Sequence, residues 1–357
     1  MATLRELSKI TGYSIATISR VLNEDETLSV TDNTRKMILE AAGRIDYSSK
    51  HNSAKKGRAD HMKIGIVEME HSEDSRKDPY YLYLKGNAES CCFNNGMETV
   101  VMQYDLVGQC YRSAVSQEVD GILAIGQFRL EQINAMKKST SKIVFLDSAP
   151  YPEEFCSVVP NYEAGIRQGM DYLVAQGHQN IVFVGPEFSH DSAGMQAPEV
   201  RRKLFLDYLE VYRNQELEGT VLDTRWENGD VAEQVVLYLR EALEEKGRPT
   251  AFFCYNETTA MGVLRALQIM GYQVPEEFSV LSYNDTMLAT LTQPQLSGIH
   301  INIEEMVQNA VMLLERVVKE EHAIPLSISV PSTLVLRESV KPVYFFSGEN
   351  EADRCFE

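Results

Sequence analysis

The chain reads as a small all-α head carrying a helix-turn-helix, followed by an α/β body of two doubly wound parallel-sheet lobes. Three observations carry that reading. Residues 1–47 hold three short amphipathic segments punctuated by capping residues and a glycine turn. From Lys63 the pattern changes to short apolar runs alternating with helical stretches, the mark of strands buried on both faces. Eight or more such units over about 280 residues are more than one sheet holds, so two lobes are expected.

Composition narrows the class of protein. The 357 residues are 44% hydrophobic and 24% charged, which describes a globular chain of more than one domain. The opening MATLRELSKITGYS carries helix signals and no apolar leader, and no run approaches the ~18 apolar residues of a membrane span, which predicts a cytoplasmic protein with no membrane partner. Cys91, Cys92, Cys110, Cys156, Cys254 and Cys355 show no CxxC spacing and are expected as reduced thiols, Cys91 and Cys92 on different sides of a helix. Net charge is −18, unevenly spread: residues 1–60 hold ten Lys/Arg against eight Asp/Glu, leaving 24 against 44 beyond, or +2 and −20. A mildly basic head on an acidic body suits a protein that touches phosphate at one end only.

In the head, Thr3 followed by Glu6 is a capping box opening a helix from about Leu4 to Thr11, with Leu4, Leu7 and Ile10 on one face. Gly12 turns the chain. Ser14 then caps a second helix, Ile15–Leu22, in which Ile18, Val21 and Leu22 face inward, and Thr31 opens a third with Met37, Ile38, Ala41 and Ile45 at helical spacing. The outward positions of the second helix are Ile15, Ala16, Thr17, Ser19 and Arg20. Small apolar side chains suit thymine methyls, and arginine suits guanine or phosphate. An ordinary polar face on a three-helix cap would look the same. The following SSKHNSAKKGRADHM is polar and without period, as a solvated linker would be.

The body's apolar runs are KIGIVEM, ETVVMQY, GILAIG, KIVFLD, NIVFVG, TAFFCYN and FSVLSYND, with helices expected at Tyr80–Asn94, Glu163–Gln176, Val200–Arg213, Asp230–Lys246 and Thr258–Met270. Ligands of such sheets bind beyond the carboxyl ends of the strands. There the sequence places Asp147, Asn256 and Asn284-Asp285. Each alone reads as a helix cap or turn residue; their recurrence points to a site for hydroxyl groups. Asp78, Tyr80 and Tyr81 stand after the first strand at the mouth of the first lobe, unless the tyrosines simply begin a packed helix. Trp226, the single tryptophan, is a candidate stacking platform for a sugar ring. No GxGxxG, GxxxxGK[ST], GxSxG or HExxH occurs, and the seven histidines are scattered, so no cofactor, no metal and no enzyme is expected.

The run TLRELSKITGYSIATISRVLNEDETLSVTDNTRKMILEAAGRIDY resembles the headpiece of the LacI/GalR repressor family almost end to end, with Gly12, Ser14, Thr17, Ser19-Arg20-Val21, Asn23 and Thr34-Arg35 at family spacing. The body resembles the family's effector domain, of periplasmic-binding-protein-like fold, through VDGILAIG, VFLD, AGIRQGMDYLVAQGHQNIVFVG, the YNETTAMGVLRALQIMGYQVPEEFSVLSYNDT block and PSTLVLRES. The resemblance implies that Ile15, Ala16 and Arg20 read bases, and that Thr3, Ser14, Thr17, Ser19, Asn23 and Thr34 belong to the DNA-contacting set, most of them on phosphates. It implies a hinge at 48–62 that enters the minor groove. Lys56 and Gly57 stand where the family places an intercalating leucine, leaving Ala54, Lys55, Lys56 and Arg58 as a phosphate-binding turn. In the body it places Asp147, Arg201, Asn256 and Asn284 on sugar-contacting positions, Asn284 replacing the commoner aspartate.

The implied division is a head at 1–47, hinge at 48–62, first lobe at 63–161 with 290–322, second lobe at 162–289 with 323–340, and a tail at 341–357. The implied activity is a repressor whose hold on operator DNA responds to a sugar between the lobes, acting as a homodimer because a single helix-turn-helix reads too few bases. A solute-binding protein of sugar transport is the competing class. It would need a signal peptide and would have no use for the head.

Overall fold

The computed structural model describes residues 4–22, 30–31, 34–38, 41, 62–69, 78–113, 118–190, 195–212, 217–224, 230–243 and 248–343. The chain divides into two units, Met1–His61 and Met62–Glu357.

The first unit contains helices α1 (Leu4–Thr11) and α2 (Ile15–Leu22), and residues 34–38 are helical. Gly12 has φ +75°, a left-handed turn that a side chain would resist, and its N–H closes on Ser8 O at 2.9 Å. Ser14 Oγ accepts the Thr17 N–H at 3.1 Å, and Thr31 Oγ1 accepts the Thr34 N–H at 3.2 Å, so each hydroxyl caps the segment that follows it. Leu7, Ile18, Val21 and Ile38 form a closed core, with Tyr13, Val30 and Ala41 packed against it. Ile10 and Met37, expected on the same apolar faces, are exposed at 58% and 43%: a core this small covers one ridge of each helix and leaves the flanks out. Thr3 with its capping box, Asn23 and the hinge residues Ala54, Lys55 and Lys56 lie outside the described residues.

The second unit has two sheets. Its elements are β1 (Lys63–Glu68), α3 (Tyr80–Asn94), β2 (Glu98–Asp105), β3 (Cys110–Ser113), β4 (Gly121–Ile125), α4 (Leu130–Lys137), β5 (Ile143–Leu146), β6 (Cys156–Pro160), α5 (Tyr162–Ala175) and β7 (Asn180–Gly185). There follow β8 (Phe188–His190), β9 (Gln196–Pro198), α6 (Val200–Val211), β10 (Glu218–Asp223), α7 (Val231–Ala242), β11 (Ala251–Cys254) and α8 (Glu257–Ile269). The last are β12 (Ser279–Asn284), α9 (Leu288–Leu291), β13 (Ser297–His300), α10 (Ile303–Lys319), β14 (Ser327–Val330) and β15 (Thr333–Val335). One sheet has the order β14-β6-β5-β4-β1-β2-β3 and the other β10-β7-β11-β12-β13-β15, with β8 and β9 forming a separate ribbon. Pairing is parallel except β2 with β3, β13 with β15, and β8 with β9. Strands β4, β5, β11 and β12 are buried along their whole length, which is why they read as unbroken apolar runs.

The chain crosses between lobes three times, and here the expected division needs correction. Ser297–His300 was assigned to the first lobe, but it is a strand of the second sheet, paired in register with Leu281–Asn284. Ser327–Val330, assigned to the second lobe, is the edge of the first sheet against Ser157–Pro160. Helix α10, between them, packs on α3 and on β4, β5 and β6 of the first lobe. The last two crossovers are short: one leads through α10 to β14 at the edge of the first sheet, the other to β15 at the edge of the second.

Cys92 is buried and Cys91 half-buried, on different sides of α3, and both are free thiols. Among the described residues no helix is long and apolar enough to cross a membrane, and no group of His, Cys, Asp and Glu is placed to hold a metal ion.

Candidate functional site

The site is built where strands of both sheets end and helices begin. Asp147 follows β5 with φ +74°, and Asn284 and Asp285 close β12 with φ +85° and +55°. These are three of the five non-glycine residues with positive φ among the described residues, and Asp and Asn tolerate that conformation best. Their strain is held by the sheets behind them; Asp147 and Asn284 reach across to the other lobe, while Asp285 pairs with Arg337 and His300.

Asp147 is a buried acceptor with three hydroxyl donors. Tyr80 and Tyr162 donate to Oδ1 and Tyr81 to Oδ2, each at 3.0 Å. Burial raises the Asp147 pKa above the usual carboxylate value, opposed by the Arg201 charge and by the tyrosine hydroxyls. Burial, and after it the charge of Asp147, holds Tyr80, Tyr81 and Tyr162 well above the ordinary tyrosine range, so they stay protonated donors. Tyr162 opens α5 on the second lobe, so its bond to Asp147 spans the cleft.

A second bridge runs the other way. Asp78, one residue ahead of Pro79 at the N-cap of α3, accepts the Tyr80 N–H on Oδ1 at 3.0 Å. Its Oδ2 accepts from Asn256 Nδ2 at 2.7 Å and from Asn284 Nδ2 at 3.4 Å, both on the second lobe. The orientation of Asn256 is fixed by its other bond, in which Oδ1 accepts the Thr259 N–H at 2.9 Å and caps α8. Asn284 is fixed by Asp78 itself, which offers only acceptors, and its Oδ1 is left buried without a partner among the described residues.

Arg201 enters from α6. Its Nε donates to Glu199 Oε1 at 2.9 Å and its Nη1 to Tyr255 O at 3.2 Å. The guanidinium lies 3.6 Å from the Tyr255 ring centroid, 5.0 Å from that of Tyr162 and 5.5 Å from that of Tyr283, an aromatic cage around a cation. Burial opposes the charge, but Glu199, Tyr255 and Tyr162 outweigh it and keep Arg201 above the ordinary arginine value. Beside Asn256, Glu257 is wholly buried; burial pushes it up to about 7, although Oε1 accepts the Thr286 N–H.

The structure therefore gathers Asp78, Tyr80, Asp147, Arg201, Asn256 and Asn284 in one cleft. Tyr80 begins a packed helix, and its hydroxyl also reaches Asp147. Trp226 lies outside the described residues. Sequence reasoning missed Tyr162, Tyr255, Tyr283, Glu199 and Glu257. The tyrosines sit in apolar strands or at a helix start, where they pass for core; Tyr255, next to Asn256 at a strand end, was the most visible of them. In the head, Arg20 is exposed on α2, and Ser14 Oγ and Thr17 Oγ1 lie 2.8 Å apart, two hydroxyls that together present a polar cap at the start of that helix.

Comparison with known proteins bears on the family and the fold. A periplasmic binding protein-like domain matches residues 170–340. The HTH-type transcriptional regulator GalR of Streptococcus thermophilus is 32% identical over 346 residues, covering 96% of this chain and 100% of its own. The regulator GanR of Bacillus subtilis is 29% identical over 347 residues, covering 95% of this chain and 100% of its own. Among solved structures, the lac repressor dimer bound to operator and an anti-inducer matches with a TM-score of 0.58 at 22% identity, covering 95% of this chain and 99% of that one. A complex of the regulator CelR with cellobiose matches with a TM-score of 0.60 at 21% identity, covering 95% and 100%. These structural likenesses show the fold, two parallel-sheet lobes of the periplasmic-binding-protein kind.

Proposed function

The chain belongs to the LacI/GalR family of transcriptional regulators, and we propose that it is a sequence-specific DNA-binding repressor of a carbohydrate-utilisation operon. Its head is a helix-turn-helix in which Ile15, Ala16 and Arg20 face base edges, while Ser14, Thr17, Ser19, Asn23, Thr34 and Thr3, with Ala54, Lys55 and Lys56 of the hinge, hold the backbone. Its body binds a sugar between the lobes, and the sugar controls DNA affinity. The protein acts in the cytoplasm as a homodimer, whose twofold axis matches a palindromic operator.

The observation that carries this reading is the polar network across the cleft. Tyr162 to Asp147, and Asn256 and Asn284 to Asp78, are lobe-to-lobe bonds between groups of the kind that bind sugar hydroxyls. A polyol entering there exchanges its own hydroxyls for these partners and resets the angle between lobes, which is the differential contact a ligand needs in order to shift a two-state equilibrium. The sugar is a β-galactoside or a galactose-like effector, and it releases DNA. The relatives named GalR and GanR support that class, and the stretches MATL, VLNEDETL and DPYY resemble the repressor of the evolved β-galactosidase system. A thermal-shift screen of galactosides, glucosides and free hexoses against the full chain tests it. Stabilisation by galactosides is expected, and a response confined to glucosides, or to none of these sugars, would overturn it.

A further inference from the structure

Building on the sugar-sensing reading, we propose that Glu199 sets the charge specificity of the cleft. By neutralising Arg201 it selects a donor-rich sugar, uncharged or amine-bearing, and excludes sugar acids and sugar phosphates.

The argument is an inventory of charge and of donors. Arg201 is the cation in contact with the site's tyrosines, and its charge is already met: Nε donates to Glu199 at 2.9 Å, these two side chains being only 7% and 2% exposed, and Nη1 donates to Tyr255 O at 3.2 Å. Glu199 is itself fixed, because its other oxygen accepts the Arg202 N–H at 2.9 Å and caps α6. Other cations near the strand ends are also paired, Lys85 with Glu68 at 2.6 Å and Arg337 with Asp285 at 2.5 Å. Against one neutralised guanidinium the cleft sets the carboxylates of Asp78 and Asp147.

The neighbouring donors already face these carboxylates. The hydroxyl hydrogens of Tyr80, Tyr81 and Tyr162 go to Asp147, and one amide hydrogen each of Asn256 and Asn284 goes to Asp78. The buried Oδ1 of Asn284 is an acceptor without a partner among the described residues. A hydroxyl or an ammonium group supplies the hydrogen it lacks. A carboxylate or phosphate supplies none, and it meets two like charges in a low-dielectric cleft where such repulsion is strong.

Calorimetric titration of the full chain with lactose, galactose, galactosamine, galacturonate and galactose 6-phosphate tests the proposal, using wild type, Glu199→Gln and Glu199→Asp. Wild type should bind the best neutral or amine-bearing sugar at least about tenfold more tightly than galacturonate or galactose 6-phosphate. Glu199→Gln keeps an acceptor for the Arg202 N–H but uncovers the guanidinium, so affinity for galacturonate should rise at least about tenfold relative to galactose. Glu199→Asp keeps the charge and should keep the wild-type order. Wild type that binds the acid or the phosphate as tightly as the neutral sugars overturns the proposal, even if Glu199→Gln fails to fold. An unchanged order in a folded Glu199→Gln overturns it as well. A chain that binds none of the five overturns the sugar-sensing reading itself.

Discussion

Replacing Glu257 by Gln should make the protein's stability less dependent on pH, and the size follows from where the carboxyl sits. Glu257 is fully buried at the first turn of α8; Oε1 accepts the Thr286 N–H and Oε2 has no partner among the described residues. Burial lifts its pKa from 4.5 to about 7, with Asp78 adding to the rise. Between those values the folded chain holds a proton that the unfolded chain has released. The stability this contributes is whole below pH 4.5 and is lost as pH rises through 7. A rise of about 2.5 pH units at ~1.4 kcal/mol each makes the loss about 3 kcal/mol. Gln keeps an acceptor for Thr286 and never ionises. Urea unfolding of both proteins at pH 5 and pH 8 should then show little difference at pH 5 and an advantage of roughly 3 kcal/mol for Glu257→Gln at pH 8, with the slopes unchanged. Parallel pH dependences in the two proteins would refute the argument, because Glu257 would then ionise as freely folded as unfolded.

Three further substitutions probe other parts of the account. Asp147→Asn keeps the shape and tolerates the left-handed backbone, but removes the charge to which three hydroxyls donate; a stability loss of about 1.5–3 kcal/mol is expected, with sugar affinity down at least about tenfold by calorimetry. Gly165→Ala would put a methyl 2.0 Å from Tyr283 Oη and 3.0 Å from an Ile299 methyl, and Tyr283 is buried with no room to swing, so a loss of about 1–3 kcal/mol should appear in thermal melting. Arg20→Ala, on the exposed side of α2, should weaken operator binding by about 1–3 kcal/mol and relax preference at one base pair in a competition assay; a uniform loss over all sequences would mean that Arg20 grips phosphate only.

The two-lobe body was legible in the sequence because its central strands are buried on both faces. VFLD, FFCYN and LSYN each announce a strand and end on the residue that enters the cleft. What composition and period cannot show is which ends meet. Tyr162 reads as a helix start and Tyr283 as core, and both are, yet Tyr162 also donates across the cleft to Asp147 and Tyr283 also walls the cage around Arg201. Glu199 and Glu257 look like ordinary first-turn or capping acids; their roles come from burial, a tertiary property. The strands Ser297–His300 and Ser327–Val330 are four residues each, too short for pattern to say which sheet they join. Asp78 was found by its place after the first strand, although nothing in DPYY reveals that its carboxylate reaches Asn256 on the other lobe.

The central claim is that a sugar in the cleft controls the head's grip on DNA. It is tested most directly by fluorescence anisotropy of a labelled duplex, selected from chromosomal fragments by the full chain, titrated with protein with and without a saturating galactoside. The account predicts that the galactoside weakens binding by at least about tenfold, within the usual range of coupling between sites. It predicts no such effect in Arg201→Ala, which still binds the duplex but has lost the cation of the cleft. Equal DNA affinity with and without a galactoside that calorimetry shows to be bound would contradict it.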